Sequence, residues 1–152
     1  MNTIEVVRAR AEDLQEPLRL LEKWLRDGEP VPGAFAEEIR HRVAAGDQEI
    51  LTALRGDLLV GVLLLSFRPN VSLGGQFASI EDLYVAPEAR RHGAGKTLLQ
   101  AAEQRCRHRG VSYLEAQVEQ GEAGRFYAAN DFEEERGLRV FSRSLLLSDR
   151  KS

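Results

Sequence analysis

The stretch Val85-Ala86-Pro87-Glu88-Ala89-Arg90-Arg91-His92-Gly93-Ala94-Gly95-Lys96-Thr97 has the residue types and spacing to hold an anion. An apolar, strand-like run ends there, a proline-containing turn follows, and two glycines stand two positions apart where helical periodicity begins. Glycines at 93 and 95 let the backbone approach a ligand closely and take up conformations closed to other residues. The free N–H groups of a helix start, at the positive end of its dipole, suit a phosphate or diphosphate. Arg90, Arg91 and Lys96 concentrate positive charge here, although the chain as a whole carries a formal charge of −3. A purely conformational reading stays open, in which Gly93 and Gly95 only shape a tight strand-to-helix turn.

Two other phosphate loops are excluded. The nucleotide-binding P-loop needs a glycine five residues before its Gly-Lys-Thr, and that position is Arg90. A dinucleotide fingerprint needs a third glycine where Leu98 stands, and a place after the first strand.

The elements that must position this turn follow from periodicity. Ile4 to Ala9 reads as a strand. Asp13 is placed to cap a helix carrying Leu14, Leu18, Leu21 and Leu25 at helical spacing, with Pro17 in its first turn. A Gly28 to Gly33 loop leads to a second helix with Phe35, Ile39 and Val43 on one face, ended by Gly46. Three strands follow, Glu49 to Leu54, Leu58 to Phe67 and Ala78 to Val85, the first two joined at Arg55-Gly56-Asp57. Ala94 to Arg109 is helical, with Leu98, Leu99, Ala102 and Cys106 on one stripe and Gly110 as its stop. Val111 to Val118 reads as a strand, Glu122 to Ala129 as a short helix, and Phe132 to Leu146 as a closing hairpin around Gly137. The order β-α-α-β-β-β-α-β-α-β-β specifies an α/β (α+β) mixed sheet with helices on its faces.

Composition bounds the class. The 152 residues fit one domain spanning 1–152, with 43% hydrophobic and 30% charged residues as in soluble globular proteins. The single Cys106 forms no internal disulfide, which fits a cytoplasmic protein. The net charge argues against a nucleic-acid partner, and the longest apolar run, Leu58 to Leu65, is too short to cross a membrane. Scattered His41, His92 and His108 with one cysteine specify no metal site.

With these residues in view, the sequence resembles the GCN5-related N-acetyltransferase (GNAT) family. The family's coenzyme A loop, (Gln/Arg)-x-x-Gly-x-(Gly/Ala), is matched by Arg90-Arg91-His92-Gly93-Ala94-Gly95. Ile80 to Glu88 is similar to the family's central strand and turn, and Ala123-Gly124-Arg125-Phe126-Tyr127 with Phe132 to its Ala-x-x-Phe-Tyr…Gly-Phe segment. Two positions depart from the pattern: Gln120 replaces the usual asparagine, and Asp131 the glycine before the phenylalanine.

The resemblance implies acetyl-CoA as cosubstrate, no metal, and direct transfer of the acetyl group to an amine in a ternary complex. It assigns the coenzyme to Arg90, Arg91, His92, Gly93, Ala94, Gly95, Lys96, Thr97 and Gln120, and to the backbone of Leu83, Tyr84 and Val85. Such a transfer needs a base for the amine, donors for the developing oxyanion and an acid for the thiolate. Glu81 is the candidate base, since burial in an apolar strand would raise its pKa; the alternative is an exposed or paired carboxylate. Tyr127 is the candidate acid, a phenol protonated at neutral pH; the alternative is a core aromatic.

The acceptor is less legible. The family walls its acceptor pocket with the first two helices, which nominates Trp24, Phe35 and the Gly28 to Gly33 loop, although Trp24 at helical spacing from Leu21 also reads as core. Glu115, Glu119, Glu122 and Glu133 to Glu135 either attract a cationic amine or form a solvated face. The leading expectation is a small-molecule primary amine. A protein or peptide acceptor, or a non-catalytic acyl-CoA-binding module, are the alternatives. A homodimer is allowed, since such domains pair through their sheets or C-terminal strands, but no residue selects it.

Overall fold

One sheet organises most of the chain. The computed structural model describes residues 3–119 and 121–146. Its elements are β1 (Ile4–Arg8), α1 (Gln15–Leu25), α2 (Gly33–Ala45), β2 (Gln48–Arg55), β3 (Leu58–Asn70), β4 (Gly75–Val85), α3 (Ala94–His108), β5 (Leu114–Ala116) and α4 (Glu122–Ala129). Short 3-10 turns occupy Ala11–Asp13 and Pro87–His92. The sheet runs β1-β2-β3-β4-β5, antiparallel except for the parallel pair β4–β5. The chain forms two compact units, one through Gln117 holding the sheet and one from Val118 holding α4.

The central strand explains the layering. Val60 to Leu65 of β3 is buried without a break, because both faces of the sheet are covered. On one face Val62, Leu64, Ile50 and Tyr84 pack with Leu14, Leu21 of α1 and Ile39 of α2. On the other, α3 lays down the buried stripe Leu98, Leu99, Ala102 and Cys106. A Cβ at Gly61 would stand 3.1 Å from Leu98 Cδ1 and 3.2 Å from the Tyr84 carbonyl oxygen, so this glycine sets how closely α3 meets the sheet.

A buried ion cluster ties the elements together. Glu49 of β2, 4% exposed, takes Arg105 Nε and Nη2 at 2.7 and 2.9 Å. Arg109 and Arg8 add contacts at 3.3 and 3.4 Å, and Arg109 also donates to the Gly46 carbonyl at 2.7 Å while lying over the Phe67 ring. Burial alone would raise the Glu49 pKa, but the hydrogen bonds and charges of these arginines hold the carboxyl below its ordinary value.

Three expectations are corrected. Asp13 does not cap α1: it ends a 3-10 turn, and the helix starts at Gln15 after Leu14 with no side-chain cap. The strand expected over Val111 to Val118 is reduced to Leu114–Ala116. The closing hairpin over Phe132 to Leu146 is absent, for that stretch holds a turn at Arg136 and Gly137 but no strand. A two-stranded ribbon is marginal without a third strand or a buried face, and here Leu138, Val140, Phe141, Leu145 and Leu146 stay exposed.

Candidate active site

Helix α3 opens where the sequence places it. Gly93 takes φ 78° at the helix start, and a Cβ there would meet nothing within 4 Å, so backbone conformation rather than crowding selects glycine. Gly95 instead lies inside the first helical turn. Thr97 N–H donates to the Gly93 carbonyl at 3.0 Å, and the Thr97 hydroxyl donates to the same oxygen at 2.8 Å. The amides of Ala94, Gly95 and Lys96 precede that bond, where no helix carbonyl reaches back to them. Arg91, His92 and Lys96 are exposed around them, and buried Ala89 and Ala94 anchor the turn. Such a start fits a diphosphate.

The end of β4 supplies the second part of the site. β5 pairs only with Ala78, Ser79 and Ile80, while β3 stays paired with β4 through Val85. Among the described residues, no strand therefore lines the β5 side of Glu81 to Val85. Leu83, Tyr84 and Val85 lie along this parted edge, where backbone amides can meet the amides of an extended ligand.

The register also changes the reading of the carboxylates. Leu65 pairs with Ile80 and Leu64 with Asp82, so Glu81 is the extra residue of a β-bulge. Glu81 is exposed, and its neighbour Asp82 is the half-buried carboxylate of the pair. Asp82 shares a face with Leu64 and Tyr84, and desolvation, with the nearby Glu81 charge, raises its pKa. Which face of β4 lies under α1 and α2 is set by packing, so the sequence reading assigned burial to Glu81 and no role to Asp82.

Arg90 joins a cluster that the sequence also concealed. Trp24 and Tyr84 stack at 4.5 Å with 26° between their planes. Arg90 Cζ lies 5.2 Å from the Trp24 ring centroid and 5.8 Å from that of Tyr84, while Arg90 Nε donates to the Val85 carbonyl at 3.0 Å. Trp24 is 51% exposed and Phe35 46%, so neither is core. The Val31 N–H donates to Glu22 Oε2 at 2.8 Å and fastens the loop between α1 and α2.

Tyr127 lies in the second unit, on α4, buried between Phe126 and Phe132 rings at 5.4 and 5.1 Å. Burial pushes its pKa up to about 12, so the phenol stays protonated. Asp131 adopts φ 71° in place of the usual glycine, and Phe132 N–H closes onto the Tyr127 carbonyl at 3.0 Å. Gln120 lies outside the described residues. Cys106 is buried, with its thiol pushed up to about 11. Two cavities lie elsewhere, one beside Arg8, Arg10 and Thr52, the other beside Asn70, Phe77 and Tyr113, and neither gathers the nominated residues.

The comparisons with known proteins agree with this architecture. The acetyltransferase (GNAT) family model matches residues 10–132, and the chain belongs to that family. No curated protein matches the sequence. Among solved structures, the aminoglycoside acetyltransferase meta-AAC0020 from an uncultured soil metagenomic sample is 21% identical, with TM-score 0.81 over 94% of this chain and 97% of that one. A ribosomal-protein-alanine N-acetyltransferase from Brucella melitensis biovar Abortus 2308 is 19% identical, with TM-score 0.75 over 93% and 99%. A predicted acetyltransferase with acetyl-CoA from Clostridium acetobutylicum is 14% identical, with TM-score 0.74 over 92% and 96%. At these identities the likeness is one of fold.

Proposed function

We propose that this protein is an acetyl-CoA-dependent N-acetyltransferase acting on the primary amine of a small molecule. The observation that carries this reading is the conjunction of a helix start rich in free amides with a parted strand edge at Leu83 to Val85. The first suits a diphosphate and the second an extended chain of amides, which are the two polar parts of coenzyme A. Its thioester supplies the activated acyl group.

The chain's own residues do the rest. The amides of Ala94, Gly95 and Lys96, with the Arg91, His92 and Lys96 side chains, hold the diphosphate, and Thr97 keeps the Gly93 carbonyl fixed behind them. Gln120 belongs to the same coenzyme assignment. Glu81, exposed at the bulge, takes the proton of the incoming amine through water, with Asp82 beside it. Attack by the amine nitrogen breaks the carbon–sulfur bond, and Tyr127 donates its phenolic proton to the departing thiolate. Trp24 and Phe35 face the acceptor. The same reading keeps a soluble, cytoplasmic protein; among the described residues no helix is long and apolar enough to cross a membrane.

The experiment is acetyl-CoA consumption against a library of amines run beside a panel of peptides. Thiol release with small amines is the expected result. Release with peptides alone would reassign the acceptor, and coenzyme binding without turnover on any amine would leave only a binding module.

A further inference from the structure

The side chain of Arg90 is held away from the job its motif suggests. Its Nε is committed to the Val85 carbonyl at 3.0 Å, and its guanidinium lies over Tyr84 and Trp24. Tyr84 packs among Leu14, Leu21 and Ile39, on the face of the sheet covered by α1 and α2. Helix α3, whose opening amides suit the diphosphate, packs on the opposite face through Leu98 against Gly61. Arg90 is therefore fixed on the side where an acceptor would lie.

The cluster has a definite chemical character. A guanidinium is a planar fork whose paired N–H groups match a carboxylate, and stacking on aromatic rings orients it in advance. Among the described residues, nothing accepts from the Nη groups of Arg90. The half-exposed Trp24 ring adds an apolar shelf. On the same face as Tyr84, two residues back along β4 and about 7 Å from it in strand rise, stands Asp82, with Glu81 next in sequence. A positive fork and negative carboxylates thus flank one aromatic stack.

We propose that Arg90, backed by the Trp24–Tyr84 stack, binds a carboxylate on the acceptor, so that the amine acetylated here is amino-acid-like and not a polycation. This rests on the transferase reading. The ammonium end lies toward Glu81 and Asp82, the carboxylate lies on Arg90, and any flat or apolar body lies on Trp24. Arg90 then contributes to acceptor choice and not to coenzyme affinity.

The test pairs amino acids with their amides, which differ only in the carboxylate, and adds an aminoglycoside. Calorimetric titration with coenzyme A runs in parallel on the wild type, Arg90→Ala and Arg90→Lys. The wild type is expected to favour the amino acid over its amide by about tenfold or more in kcat/KM, the value of a charge-assisted fork. Arg90→Ala should bring that ratio near one and Arg90→Lys should leave it intermediate, with the coenzyme Kd unmoved in both. An active enzyme without that preference, or one favouring the aminoglycoside, overturns this inference alone. So does a weakened coenzyme Kd with the preference intact, which would return Arg90 to the diphosphate. A wild type that binds coenzyme A yet consumes no amine overturns the transferase reading and this inference with it.

Discussion

At the scale of single residues, the groups proposed for catalysis differ in their environments. Tyr127 is buried and keeps its proton, so Tyr127→Phe should lower kcat by about a hundredfold or more while the coenzyme Kd stays constant. Asp82 carries the opposite signature. Its pKa is raised in the folded chain by burial and by Glu81, so its ionised form destabilises the fold as pH rises through that raised value. Asp82→Asn should therefore raise Tm at pH 7 by thermal melting, yet reduce turnover; a lower Tm would contradict the assignment. Glu81→Gln should reduce kcat/KM in steady-state assays if Glu81 takes the proton. The sequence placed both carboxylates on β4 but misjudged which one is the more buried. An apolar strand does not say which of its faces is covered, and the packing of α1 and α2 over the Tyr84 face is something no local pattern reports.

At the scale of elements, the parts that were legible are those whose signals are local. Gly93, Gly46 and Gly110 end or begin helices with positive φ, and α4 spans the Glu122–Ala129 stretch that periodicity specifies. The Glu49 cluster was illegible because Arg8, Glu49, Arg105 and Arg109 meet only when β1, β2 and α3 pack. Removing that carboxylate leaves three arginines without their shared partner, so Glu49→Ala should cost about 3 kcal/mol or more in urea unfolding at pH 7. Because the arginines hold the folded pKa of Glu49 below the ordinary carboxylate range, its contribution holds at neutral pH and fades as pH falls through and below that range. The loss on mutation should thus shrink in strongly acidic buffer. Gly93→Ala should cost about 1 kcal/mol from its left-handed backbone alone, and shift the amides it precedes.

At the scale of the molecule, the family fold was recognisable from two short motifs because their spacing is set by β4, α3 and α4 together. Acetyl-CoA at about a hundred times its Kd should add about 2.7 kcal/mol of stability, and ADP should add less, because it lacks the extended amide arm. Equal stabilisation by both would leave only anion binding at α3. The short β5 has a larger meaning in this light. Its ladder with β4 ends at Ile80, so on that side the backbone from Glu81 to Val85 has no strand partner among the described residues. An amide-bearing chain bound there would stand in for a missing length of polypeptide. Under the proposed coenzyme reading, this edge would recognise peptide-like chemistry through its main chain, a specificity that alanine scanning along Leu83 to Val85 would leave invisible.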